Sequence, residues 1–133
     1  MLPALHLALA IPAVPAADTN LRPLTEADLN HTQETGCTFS FGKGNATLLQ
    51  AIGRDLMIRT AQGFALCRFD QAQLDAFTDG KRALSCGGRT LRLRKTGATQ
   101  SFPEADSAGW PATLRVTSGK AGATLTGNAG VAC

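Results

Sequence analysis

Four cysteines, Cys37, Cys67, Cys86 and Cys133, constrain this chain more than any other feature. An even set reads as two disulfides, and hence as a fold stapled in an oxidising compartment. The spacings contain no Cys-x-x-Cys and no Cys/His pair, which argues against zinc and against a thioredoxin-like redox motif. The cysteines follow the leader MLPALHLALAIPAVPAA, which carries no Asp, Glu, Lys or Arg. Its apolar stretch falls short of the about 20 residues a membrane span needs. Val14-Pro15-Ala16 fits a small-x-small processing site, so residues 1–16 are expected to be a signal peptide and the mature protein periplasmic or secreted.

Cleavage there leaves one domain of about 117 residues. Residues 17–35 are polar, and the polarity predicts a mobile N-terminal arm. Within it Thr25 to Asp28 resembles a capping box, predicting a helical turn or two from Glu26.

From Gly36 short alternating segments are punctuated by Gly-bearing turns. Cys37 to Phe41, Thr47 to Ile52, Leu56 to Thr60 and Phe64 to Phe69 predict a four-stranded antiparallel meander. Asp70, with Gln73 three residues on, caps a two-turn helix that buries Leu74 and Phe77 and stops at Gly80. Further strands are predicted over Arg82–Cys86, Thr90–Lys95, Thr113–Thr117 and Ala123–Thr126, with a loop over 97–111. About eight short strands and one short helix make an all-β fold, an antiparallel barrel or sandwich over 36–133 with two disulfides.

Four cysteines allow three pairings. Tight turns in the meander put Cys37 level with Gln50, Met57 and Leu66, and so beside Cys67 in height. A flat sheet would leave those two about 14 Å apart. A curled one would bring them together, and the reading is Cys37–Cys67 with Cys86–Cys133, the second tying down the C-terminus.

The balance of 13 Lys+Arg against 10 Asp+Glu gives +3, too mild for a nucleic-acid binder. With Tyr absent, aromatic stacking surfaces are scarce. No cofactor is implied, and the protein is expected to be a monomer that does not span a membrane. After the leader, His31 is the one remaining histidine, and it lies in the arm. Nothing around it resembles a nucleophile elbow or a Ser/His/Asp arrangement, so the chain is not expected to be an enzyme. Glu104 and Asp106 stand at i, i+2 in the long loop. They are the acids a small hydrolase would use, but beside Ser107 and Gly109 they read first as turn chemistry.

The surface with binding chemistry is basic. Alternation sends Leu91 and Leu93 inward and leaves Thr90, Arg92 and Arg94 outward, and Arg115 repeats this in Thr113–Thr117. If the two strands are neighbours, Arg92, Arg94 and Arg115 form a patch edged by Arg89, Lys95 and Lys120. It would attract an anionic glycan, a lipid head group or the acidic site of a partner protein. Trp110, placed on the loop, is the aromatic anchor such a site would use, or else a lid over one end of the core.

Phe41-Gly42-Lys43-Gly44-Asn45-Ala46-Thr47-Leu48 resembles the Phe-x-x-Lys-Gly-x-x-Ala-x-Leu stretch of the bacterial inhibitors of c-type lysozyme. The resemblance implies a small exported β-barrel with disulfides, in a family that plugs the lysozyme active site with a loop. That family's Ser-Gly-x-x-Tyr loop has no counterpart in a chain without Tyr, and Ser107 to Trp110 is only a distant echo. No inhibitory residue carries over. Three functions are therefore expected in order: an exported module binding an anionic envelope component, a lysozyme-inhibitor-like protein, and a small hydrolase.

Overall fold

The computed structural model describes residues 19–133, and the predicted signal peptide lies outside them. A meander of β1 (Thr38–Lys43), β2 (Ala46–Ile52), β3 (Asp55–Thr60) and β4 (Gly63–Arg68) leads into the helix Gln71–Thr78, here α2 because α1 (Glu26–Leu29) precedes it. Then come β5 (Leu84–Cys86), β6 (Arg89–Lys95), β7 (Gln100–Phe102), β8 (Ser107–Ser118) and β9 (Ala121–Ala132). The strand order is β4-β3-β2-β1-β9-β8-β6-β5, with β7 on the edge of β8, and every pairing is antiparallel. The sheet curls into a nearly closed barrel, the all-β architecture expected.

Its two outermost strands, β4 and β5, meet through a covalent bond. Cys67 on β4 joins Cys86 on β5, with Cα atoms 5.8 Å apart. The second disulfide joins Cys37 to Cys133. Both differ from the expected Cys37–Cys67 and Cys86–Cys133. The reason is the last strand: β9 returns to pair with β1, Thr38 facing Ala132, so the flanking residues Cys37 and Cys133 are neighbours. The register Gln50–Met57–Leu66 is as expected. In β1, however, Thr38 faces Ile52, so Cys37 lies three residues further along the sheet than Gln50.

Helix α2 forms where predicted. Asp70 Oδ1 accepts from the Gln73 N–H at 2.8 Å, and Gln73 Oε1 accepts from the Asp70 N–H at 3.0 Å. Gly80 takes the left-handed conformation that ends it, φ 73°. Leu74 and Phe77 are buried, and Phe77 meets Phe39 edge-on with ring centres 6.4 Å apart. The barrel interior is filled by Phe41, Leu49, Leu56, Ile58, Leu91, Leu93, Leu114 and Val116, all nearly or fully inaccessible. An eight-stranded barrel is just wide enough for side chains to fill it, and these do.

Two parts of the chain are more ordered than their composition predicts. The stretch 97–111 is not one loop: it holds β7, a 3-10 turn at Pro103–Ala105 and the first half of β8. The arm is docked on the meander, with an antiparallel bridge between Arg22 and Arg59 and Leu21 joining the core. Arg22 donates its backbone N–H to the Arg59 carbonyl (2.7 Å) and Leu24 donates to that of Thr47 (2.8 Å), while Leu21 is buried. The capping box closes as read, Thr25 Oγ1 accepting from the Asp28 N–H and Asp28 Oδ2 from the Thr25 N–H. The Asp28 carboxylate then takes both Arg59 Nε (2.7 Å) and Nη2 (2.5 Å). Thr32 Oγ1 donates to Asp55 Oδ2 at 2.7 Å. Covered on both faces, β3 loses its alternation: Asp55, Leu56, Met57 and Ile58 are buried in succession.

The Arg59 hydrogen bonds, helped by those of Thr25, hold the Asp28 carboxyl far below the usual carboxylate range, against the opposing effect of burial. A depressed carboxyl stabilises the fold above its unfolded pKa, and the contribution fades as acid protonates it. Stability should therefore fall as pH drops below about 4, and D28N should lose that component of the slope in denaturant titrations across acid pH.

The two disulfides should also separate. By loop entropy, Cys67–Cys86 with sequence separation 19 contributes about 3 kcal/mol, and Cys37–Cys133 with separation 96 contributes about 4.7 kcal/mol. Hydrogen exchange distinguishes their local roles. C67S/C86S should raise exchange in β4 and β5, whereas C37S/C133S should raise it at the ends of β1 and β9.

Candidate functional site

The outer face of β6 and β8 brings the predicted arginines together. Leu91, Leu93, Ala112, Leu114 and Val116 point into the barrel, so the residues between them face outward. Arg92 sits directly opposite Arg115 in the ladder, and Arg94 faces Thr113. Directly opposed residues place their Cβ atoms about 4.5–5.5 Å apart, where like charges destabilise a sheet. Among the described residues no carboxylate pairs with Arg92, Arg94 or Arg115; ion pairs are instead seen at Arg59 and Arg68.

Arg115 is not a loose surface cation. Its Nη1 donates to Thr124 Oγ1 at 3.2 Å, and its guanidinium lies close over Gly122, where a Cβ would fall 2.9 Å from Cζ. Thr124 faces Arg115 in the β8–β9 ladder, so the side chain leans onto β9, away from Arg92. The missing side chain at Gly122 and the hydroxyl at Thr124 together hold the planar fork in place. Such preset guanidinium groups suit oxyanions, which they bind through two parallel hydrogen bonds.

The expected edge of the patch is different. Arg89 is buried and donates to the Gly87 carbonyl (3.3 Å) and to Gln62 Oε1 (2.7 Å), tying the β5–β6 turn to the β3–β4 turn. Lys95 turns the other way too, bonding to Thr99 Oγ1 with Nζ 5.8 Å from the centre of the Trp110 ring. The period of two that sends Leu91 and Leu93 inward sends Arg89 and Lys95 with them, a signal already present in the sequence. Lys120 is exposed in the β8–β9 turn.

Trp110 is on β8, not on a loop. It shares the inward face with Ala112 and packs half-buried against Phe39, ring centres 6.2 Å apart, as a lid over one barrel end. Glu104 and Asp106 are exposed on the turn before β8. Asp106 takes the left-handed conformation, φ 48°, and its carbonyl accepts the Cys133 N–H, so it serves the turn and the chain end. His31 lies over Phe64 of β4, ring centres 4.8 Å apart, and around the barrel β5 and β6 on one side and β3, β2, β1 and β9 on the other separate that strand from β8. The two acids and the histidine therefore do not converge. Phe41 to Leu48 forms the β1–β2 hairpin, with a bulge between Phe41 and Gly42.

Several open concavities are not legible in the sequence, and one of them lies along β7, β8 and β9. An open groove of about 450 Å³ is lined by Gln100, Phe102, Gly109, Trp110, Pro111 and Asn128. Gln100 faces Gly109 and Pro111 faces Asn128, all on the outer side of the sheet. The alternation of Gln100 and Phe102 was its only trace, hidden in a segment read as loop.

Comparison with protein-family models, with curated proteins and with solved structures finds no match to this chain.

The seat under Arg115 is testable. Gly122 is not at a positive φ, so G122A should leave the unfolding free energy unchanged within the roughly 0.5 kcal/mol typical of surface substitutions. It should free the guanidinium, seen as a drop in the Arg115 Nε order parameter by ¹⁵N relaxation.

Proposed function

We propose that this protein is an exported binding module that uses Arg92, Arg94 and Arg115 to hold an anionic component of the cell envelope. The observation that carries the reading is the Arg92–Arg115 pair. Their positions are directly opposed with no carboxylate paired to either, and Arg115 relieves the opposition by leaning onto Thr124 of β9, where a merely solvated face would place a carboxylate on one strand. The filled barrel supports the same conclusion, because a ligand has to be met on the outside. The two disulfides favour a periplasmic or secreted location. The proposed module acts as a monomer and without catalysis.

Retention on anionic beads tests it. The wild type should bind at low salt and elute as ionic strength shortens the screening length. R92A/R94A/R115A should lose retention, and a triple variant that still binds would reduce the patch to a solvated face.

The resemblance at Phe41–Leu48 carries the second reading, a lysozyme-inhibitor-like protein. The observation that favours it is the same Arg face, which complements an acidic cleft of the kind a two-carboxylate glycosidase presents. In a lytic assay with c-type lysozyme, this reading expects added protein to slow clearing; unchanged clearing removes it.

A further inference from the structure

The arginine face and the groove are parts of one surface. Along β8 the outward residues run Thr117, Arg115, Thr113, Pro111, Gly109, Ser107. β6 flanks the first half with Arg92 and Arg94, and β7 flanks the second half with Gln100 and Phe102. β9 lies beside the whole length, supplying Thr124, Thr126 and Asn128. Arg115 and Gly109 are therefore joined by a continuous outward-facing track of exposed and half-buried residues about 20 Å long, at about 3.4 Å per residue.

Chemistry changes along that track. At one end are three guanidinium groups, one of them seated. At the other, Phe102 is 46% exposed, one of two large hydrophobic residues so open among those described. Gln100 stands two residues before it on β7 and Asn128 lies across β8 on β9; both line the groove and offer donors and acceptors, and Gly109 lets a ligand approach the backbone closely. A groove lined by an aromatic ring and by an amide from each strand flanking β8 matches a pyranose ring, which has one apolar C–H face and a rim of hydroxyls. A lipid head group would use the arginines and leave the groove empty, and a simple polyanion would do the same.

We infer that the ligand is a linear acidic glycan lying along β8, its carboxylates on Arg92, Arg94 and Arg115 and a sugar ring against Phe102 between Gln100 and Asn128. This rests on the arginine reading above and adds the groove as the element that selects sugar over other anions. Phe102 is the specificity residue, since it adds contact without adding charge.

The experiment uses two probes of matched charge, a galacturonic acid oligomer and a linear polyphosphate, titrated into the ¹⁵N-labelled protein at low salt. The expected result is tighter binding of the oligomer, with shifts at Arg92, Arg94 and Arg115 and also at Gln100, Phe102 and Asn128. F102A should weaken the oligomer by about tenfold, the scale of one aromatic contact, and leave polyphosphate unchanged. Q100A/N128A gives the same reading through polar contacts and covers the case in which F102A disturbs β7. Equal affinity for both probes, unaltered by either variant, overturns the glycan assignment while the anion face stands. Binding of neither probe overturns the anion face itself, and the glycan assignment with it.

Discussion

The structure depends on the backbone ladder that β9 makes on both of its edges. One edge pairs with all of β8 and the other with β1, so this single strand makes one sheet of the N-terminal meander and the C-terminal hairpins. Side-chain burial contributes little to it: of its residues only Ala129 is fully within the core. Small residues are what the position requires. A Cβ at Gly130 would lie 3.0 Å from the Ala108 carbonyl oxygen, and one at Gly127 would lie 3.1 Å from the Gly42 carbonyl carbon. Hydrogen bonding satisfies the backbone that a strand so poor in apolar side chains would otherwise leave open.

That explains what the sequence did and did not disclose. The meander, α2 and β6 were legible because large apolar residues alternate there or recur at helical spacing. Thr124 to Ala132 carries few such residues, so β9 was foreseen only over Ala123–Thr126 and the rest looked like a tail. The disulfides followed from that omission: without β9 beside β1, nothing brought Cys133 to Cys37, and the pairing went elsewhere. β7 and the first half of β8 were hidden for a related reason, since Pro103, Pro111 and three small residues masked their alternation. The arm is a different case. Its polar residues are used as polar residues, Asp28 on Arg59 and Thr32 on Asp55, so polarity alone could not separate a docked strap from a free one.

The candidate site was legible to the extent that it depends on period two. Alternation alone placed Arg92, Arg94 and Arg115 on one face, and the ladder brought them together because β6 and β8 are neighbours. The same rule, applied one residue further in each direction, would have removed Arg89 and Lys95 from the patch. Gly122 and Thr124 could not have been named in advance. Their role exists only through the β8–β9 register, which sets a bare Cα and a hydroxyl beneath one guanidinium.

The filled interior leaves a ligand to be met on the outer surface, and the arm covers part of the meander there. Phe41, Phe77 and the buried leucines occupy the barrel; Trp110 stands over one end; the arm lies over β2 and β3. What remains as a broad, regular surface is the outer side of β6, β7, β8 and β9. There the chain keeps an uncompensated arginine pair, a seated guanidinium and an exposed phenylalanine. Each of these runs against what stability alone would select: like charges opposed, an arginine side chain immobilised, an aromatic ring left in water. Their occurrence on β8 and the two strands that flank one of its edges is the strongest physical reason to look for this protein's activity on that face.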